Sequence, residues 1–397
     1  MALHIGYFQS GYPVQDGTTT AVRGLSRALA RQGHRVTIYG CGKSEITENV
    51  AGDDKLRVRL FPVSSANPFR VPRPLLDALE RNEEQLDLLV INLMFNPPNV
   101  AVARAAARGG IPYVVSPHDP YHPVLLKKNR LRKLAYSMIF ERPLLRRAAA
   151  VQVLAPEHAA YVRKFGFSGA ILAIPNGFDA SASFFPPLET FSANQLSGSP
   201  RFLCLGRLDM HHKGLDLVIE AFAGSLHSGV LPPSAGLTFV GPDGGDLQRL
   251  RRLASEERVD TNVSFAGRVS DGARWEMLRS CDMLLLCSRY DGFGLVALEG
   301  MLAGKPLIVS REAGISGWIE KAGCGVLVEP STGSICSGFA EAMKLRPRWE
   351  EMGERGRSFA YENMTWDHMG RRAEESYCAL IDALKTTPGG EMLKHAV

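Results

Sequence analysis

Ser288-Arg289-Tyr290-Asp291-Gly292-Phe293-Gly294-Leu295-Val296-Ala297-Leu298-Glu299 is the stretch on which the fold turns. It follows an apolar run of strand length at 283–287 and leads into a helical pattern that continues to Gly304. A parallel α/β domain places such a Gly-x-Gly turn at the carboxyl end of a strand, where backbone N–H groups approach a ligand closely. The helix amino terminus behind the turn favours negative charge, as a phosphate supplies. Asp291 before the turn and Glu299 two helical turns in are placed to bracket a polyhydroxylated ligand. The plainer alternative has Asp291 capping the helix and Glu299 as a solvated helix residue.

Working outward, the same alternation of strand and helix fills both halves of the 397-residue chain. Apolar runs at 5–8, 35–39, 86–91, 112–116, 149–153 and 170–174 are matched by runs at 201–205, 237–240, 263–266, 283–287, 306–310 and 325–328. Such alternation gives parallel sheets covered by helices. Between the first two runs, Val22, Leu25, Ala28 and Leu29 recur at helical spacing, and Gly33 stops the helix. The length fits two cores better than one. We therefore expect an α/β protein of two Rossmann-like parallel-sheet domains facing each other across a cleft. The first covers 1–180 and is rejoined by a last helix at about 366–385. Residues 181–200, rich in Ser, Pro, Phe and Asn, form the linker; 201–365 is the second domain, and 386–397 a tail.

Composition narrows the class. Forty-five per cent hydrophobic residues with a formal charge of only +5 exclude a disordered chain and give no footprint for nucleic acid. Seven scattered cysteines without a C-x-x-C pair argue against a disulfide framework or structural zinc, and for a reducing compartment. The amino terminus reads as a buried strand rather than a signal peptide, and no run approaches the ~20 apolar residues that span a bilayer. The expected location is cytoplasmic, with peripheral contact at the inner membrane face as an option.

Other strand ends carry chemistry. Gly206-Arg207-Leu208-Asp209-Met210-His211-His212-Lys213-Gly214 follows the first strand of the second domain. There Arg207 and Lys213 are near enough in sequence to converge on one anion. A solvated basic loop is the plainer alternative. In the first domain, Asp16-Gly17-Thr18 follows the first strand as a single-glycine phosphate-facing loop, without the dinucleotide or P-loop pattern. Ser116-Pro117-His118-Asp119 ends another strand and places His118 at the cleft edge, where a structural histidine would also fit. Asn176-Gly177 reads as a tight turn where the chain leaves the domain.

In order and spacing these segments resemble the family-4 glycosyltransferases, retaining enzymes of GT-B architecture. Their signature is a pair of glutamates separated by seven residues around Gly-Phe-Gly, with an upstream Gly-Arg-Leu…Lys-Gly loop and an Asn-Gly-x-Asp at the domain crossover. The wording of 116–148 is also similar to members that assemble bacterial surface polysaccharides. The resemblance implies that Arg207 and Lys213 hold the donor diphosphate and neutralise the leaving phosphate. It implies that Glu299 accepts from the ribose hydroxyls and Asp291 contacts the donor sugar. Gly292, Phe293, Gly294 and Leu295 would line the donor site with backbone amides, and Gly267, Arg268 and Val269 would border the base. Gly17 would approach the phosphates and His118 would lie beside the transferred sugar. It further implies a nucleotide-diphosphate sugar as co-substrate, a glycan, lipid-linked or small-molecule acceptor, front-face transfer and no metal. The chain departs from the family in three places: Asp291 stands for the first glutamate, the 207–213 loop is one residue longer, and the 17 loop has one glycine where two are common.

Residues 127–147 carry eight Lys or Arg against one acid, Glu141, with Leu131, Leu134, Ala135, Met138 and Ile139 at helical spacing. The apolar stripe is no wider than packing requires, so it is read as packed on its own domain, with an anionic membrane as the alternative. Two other functions fit the architecture: a sugar-nucleotide epimerase and a non-catalytic sugar-nucleotide-binding subunit. A dehydrogenase fits less well, since neither half has the dinucleotide fingerprint with its ribose-binding acid.

Overall fold

The computed structural model describes residues 2–13, 17–50, 53–63, 71–119, 121–127, 129–180 and 198–386. The expected linker therefore falls, for 181–197, outside the described residues, as does the tail from 387. The chain forms two compact units, one of residues up to Asp179 with those from Thr365 onward, the other Ala180–Met364.

The first unit is built on β1 (His4–Gln9), β2 (Arg35–Gly42), β3 (Ile46–Val50), β4 (Asp53–Pro62), β5 (Leu88–Asn92), β6 (Tyr113–Ser116), β7 (Ala150–Val153) and β8 (Ala170–Ala173). Their spatial order is β3-β4-β2-β1-β5-β6-β7-β8, all parallel except β3, which runs antiparallel to β4. Ile5 of β1 pairs with Val36 on one side and Leu88 on the other. Burial along the whole of β1 and β5 reflects helices on both faces of a parallel sheet. One of them, Gly17–Arg31, buries Val22, Leu25 and Leu29. The last helix, Trp366–Thr386, shares that core through Trp366, Met369, Ala373 and Tyr377. Its approach is close: a Cβ on Gly24 would lie 2.1 Å from the Trp366 indole. The Tyr377 hydroxyl donates to Gln152 Oε1 at 2.6 Å and lies 3.1 Å from that of Tyr7, so the phenol this docking buries is partnered.

The second unit contains β9 (Arg201–Leu205), β10 (Gly236–Val240), β11 (Val263–Gly267), β12 (Met283–Leu286), β13 (Leu307–Ser310) and β14 (Gly325–Val328), all parallel in the order β11-β10-β9-β12-β13-β14. The order reverses between β9 and β12. In open α/β sheets that point leaves a crevice at the carboxyl ends of the strands, and ligands bind there. In the first unit the order reverses between β1 and β5.

Two expectations need correction, and one element is additional. The β3–β4 hairpin was missed, although Leu56, Val58 and Leu60 alternate with Lys55, Arg57 and Arg59 in a half-buried strand's pattern. Asn176-Gly177 is not a tight turn, and neither residue has positive φ. The segment instead runs on so that Phe178 bridges to Thr365 and accepts the Trp366 N–H at 2.9 Å. The stripe in 127–147 is not packed: Leu131, Leu134, Met138 and Ile139 are 82, 51, 61 and 63% exposed. The helix Arg130–Tyr136 runs through a π turn, Ser137–Glu141, into the helix Arg142–Arg146. Ser137, Glu141, Leu144 and Leu145 are buried there, so the face that packs is a different one.

Candidate active site

The two loops at the reversal point of the second sheet carry the main charges. After β9, Gly206 turns with φ +133°, and Asp209 caps the short helix Met210–Lys213 by accepting the His212 N–H at 2.9 Å. Gly214 ends that helix at φ +63°, where a Cβ would meet the Cys287 carbonyl at 2.5 Å. Only glycine allows the loop to lie this close to the end of β12. Arg289 locks the two loops together. Its guanidinium grips Asp216 in a fork, at 2.8 and 2.7 Å, and donates to the Met210 carbonyl at 2.9 Å.

That clamp brings Lys213 to Asp291. Nζ donates to Oδ2 at 2.6 Å, with 19 and 14% of the two side chains exposed. Burial pushes the Asp291 carboxyl upward, but Lys213, His212 and a backbone hydrogen bond from Phe293 together outweigh it and hold the group below its ordinary value. Burial, then the neighbouring Lys213, lowers the pKa of His212. Asp291 does not cap the following helix; Gly294 at φ +94° does so without a side chain, and the helix runs Leu295–Leu302. Phe293 is buried.

Glu299 lies one helical face further in and is not a solvated residue. It accepts a short hydrogen bond from Arg274 Nη2, and 22% of its side chain is exposed. Burial pushes its carboxyl up to about 7, against the pull of Arg274. The same spacing that joins Asp291 and Glu299 in sequence thus delivers one charged carboxylate and one poised near neutrality. Arg207 is the most open of the group, 60% exposed, with Nη2 3.8 Å from Asp209. Gly267 closes β11 at φ +72° and accepts the Gly241 N–H at 2.9 Å; Arg268 and Val269 follow it on the same strand end. Among the described residues no group of three His, Cys, Asp or Glu is arranged for a metal ion.

In the first unit, His118 follows β6 with φ +60° and its Nε2 lies 2.9 Å from Asn92 Oδ1. The Asn92 amide nitrogen donates to the Phe8 carbonyl at 3.0 Å, so Oδ1 is the acceptor and Nε2 carries the proton. Asn92 ends β5, beside β1, and Gly17 opens the helix after β1; Asp16 lies outside the described residues.

Sequence reasoning passed over Arg274, the Arg289–Asp216 clamp, Asn92, and the run Gly241-Pro242-Asp243-Gly244-Gly245 after β10. That run interlocks with the Arg207 loop: the Pro242 carbonyl accepts the Leu208 N–H at 2.9 Å, and a Cβ on Gly241 would lie 1.9 Å from the Gly206 carbonyl. Its glycines at a strand end were a legible signal.

Two family models match the chain and together run through most of it. "Glycosyl transferases group 1" covers residues 189–359 and "Glycosyl transferase 4-like domain" covers 16–177. The chain is 25% identical over 392 residues to the O-antigen chain mannosyltransferase C of Escherichia coli, covering 96% of this chain and 99% of that one. It is 30% identical over 176 residues to the N-acetyl-alpha-D-glucosaminyl L-malate synthase of Bacillus anthracis, 44% of each chain. In fold it is similar to sucrose-phosphate synthase from Thermosynechococcus elongatus, with a TM-score of 0.69, 20% identity and coverage of 96 and 100%.

Proposed function

The chain belongs to the group 1 glycosyl transferases, enzymes that move sugars from nucleotide sugars, and on that premise we propose a retaining, metal-independent hexosyl transfer from a nucleotide-diphosphate sugar. The observation that carries the reading is the Lys213–Asp291 pair at the reversal point of a donor-type sheet, with Glu299 on the same helix entrance. In this reading Lys213 and Arg207 receive the diphosphate, Asp291 accepts from the sugar hydroxyls, and Glu299 accepts from the ribose. Gly267, Arg268 and Val269 border the base, and the 292–295 turn faces sugar and phosphate. Gly17 and His118, whose Nε2 carries a proton, are the first unit's own candidates for binding phosphate or sugar.

The bond between the anomeric carbon and the phosphate oxygen breaks, and the electron pair leaves with the phosphate. The acceptor oxygen attacks the same face of that carbon, and its proton passes to the departing phosphate oxygen. Cationic side chains supply the charge a metal would otherwise bring, so turnover should persist in EDTA. The mannosyl relative of full length makes mannose the first sugar to test. The acceptor is a glycan, lipid-linked or small-molecule hydroxyl. The exposed Leu131, Met138 and Ile139 among basic residues support peripheral contact with an anionic membrane. Among the described residues no helix is long and apolar enough to cross one.

The test is a thermal-shift panel of UDP-, GDP- and ADP-hexoses, with Arg207→Ala and Glu299→Ala alongside. We expect a selective rise with one donor that both variants lose. No response to any donor would sink the reading, and an inverted anomeric product by proton NMR would sink its retaining part.

A further inference from the structure

The first unit contains a cavity of about 450 Å³, a volume suited to a small ligand. Five cations line it: Lys127, Arg130, Lys133, Arg142 and Lys164. Among the described residues no carboxylate lines it. The one acid of this segment, Glu141, is turned inward, its two oxygens accepting from the Tyr121 hydroxyl at 2.8 Å and the Phe95 N–H at 3.2 Å. Among the described residues none of Lys127, Arg130, Arg142 and Lys164 is in an ion pair. Arg142 lies with its guanidinium carbon 5.5 Å over the Phe165 ring, and its Nε is buried without a hydrogen-bond partner. A buried guanidinium donor beside four other cations is suited to an anion.

Apart from Ser137, the remaining wall is aromatic and aliphatic. Tyr121 and Phe165 stack at 4.0 Å and 11° as a floor, and Leu126, Leu134 and Tyr161 close the sides. Leu134 belongs both to the cavity and to the exposed ridge of Leu131, Met138 and Ile139. The cavity therefore opens beside a ridge exposed among the described residues, so an apolar chain held in it can continue along that ridge.

We propose that this cavity binds a phosphoryl group borne on an apolar chain, so that the acceptor hydroxyl is carried on a lipid phosphate or diphosphate presented at a membrane surface. This rests on the first unit being the acceptor side of the proposed transferase. Binding is nevertheless read without any donor, so the two readings fail separately.

The test uses the full chain and isothermal titration with three probes: dihexanoyl phosphatidic acid below its micelle concentration, dihexanoyl phosphatidylcholine and inorganic pyrophosphate. Phosphatidic acid should bind, and the other two at least about tenfold more weakly, since each lacks either the net charge or the chain. Arg130→Gln with Lys164→Gln, both exposed, should weaken phosphatidic acid about tenfold or more without lowering the melting temperature. Should that variant melt early, the exposed Lys127→Gln carries the test alone. Leu134→Ser should weaken phosphatidic acid and leave pyrophosphate unchanged. Equal binding of phosphatidylcholine, pyrophosphate as tight as phosphatidic acid, or undiminished affinity in the charge variants would overturn the proposal.

Discussion

Replacing Lys213 with methionine keeps the aliphatic stem and removes the ammonium that Asp291 holds at 2.6 Å. Exposed ion pairs are worth about 0–1 kcal/mol, and breaking a fully buried one costs about 3–5 kcal/mol. With 19 and 14% of the side chains exposed, this pair lies between, and we expect about 2 kcal/mol. For a unit of this size that is roughly 4–8 °C in melting temperature. The pH dependence gives the sharper signature. In the native protein Asp291 titrates below its unfolded value, so its contribution is present above the unfolded pKa near ~3.9 and is lost as pH falls through the lower folded value. Without Lys213 the burial that now opposes ionisation prevails and the folded pKa rises above the unfolded one. The deficit of Lys213→Met should therefore be largest at pH 7–8 and shrink toward pH 5. Asp291→Asn removes the stranded charge, so the double variant should melt above Lys213→Met at neutral pH. Calorimetry of the four proteins of this cycle, at pH 5 and 7.5, measures the coupling. A coupling below about 0.5 kcal/mol, or a deficit that does not change with pH, would refute the reasoning.

Other outcomes follow from the same geometry. Glu299 stands near 7, so donor affinity measured by calorimetry should strengthen as pH rises from 6 to 8 and the carboxyl ionises; Glu299→Gln should flatten that profile. Arg274→Met removes the cation that opposes burial and should move its midpoint upward. Gly241→Ala, at φ +149° with its Cβ 1.9 Å from the Gly206 carbonyl, should lower stability by about 2–3 kcal/mol or more and weaken donor binding, both readable by thermal shift with and without donor. His118→Ala should lower kcat about tenfold or more with little change in donor Kd, and Asn92→Ala, which removes its partner, should lower kcat less.

How much of this was readable in advance varies with the kind of signal. The buried strands of both sheets announce themselves as apolar runs because parallel strands are covered on both faces. The β3–β4 hairpin is half-exposed, and its arginines hid an alternation that was present all the same. In the site, Lys213 and Asp291 were each legible as candidates, yet 78 positions separate them. What joins them is the placement of β12 next to β9, a property of sheet order that no local pattern encodes. Arg274 had no local mark at all, since its helix shows only one buried residue, Leu278. Asn92 did have one: it is the single polar residue closing the otherwise apolar run Leu88–Asn92, and it holds His118. The stripe at 131–139 shows the opposite limit. Periodicity gives the face of a helix, and only the tertiary structure tells whether anything covers it.

The substitution of aspartate for the first glutamate can be argued from the same pair. Asp291 is fixed on the backbone side by the Glu312 carbonyl, which accepts its N–H at 3.1 Å, and by the Gly314 N–H, which donates to its own carbonyl at 3.0 Å. Its backbone is thus pinned, and the side chain must reach Lys213 from a set origin. One methylene more would carry the carboxylate past the 2.6 Å contact unless the chain folds back on itself, while the Arg289 clamp holds Lys213's loop from moving away. An aspartate at 291 therefore suits the place at which the clamp holds Lys213. On this account Asp291→Glu should loosen the pair and alter sugar preference, with nucleotide affinity less changed. Restoring the nucleotide-sugar signature by Asp291→Glu should be worse than the native pairing, and a donor panel on that variant decides it.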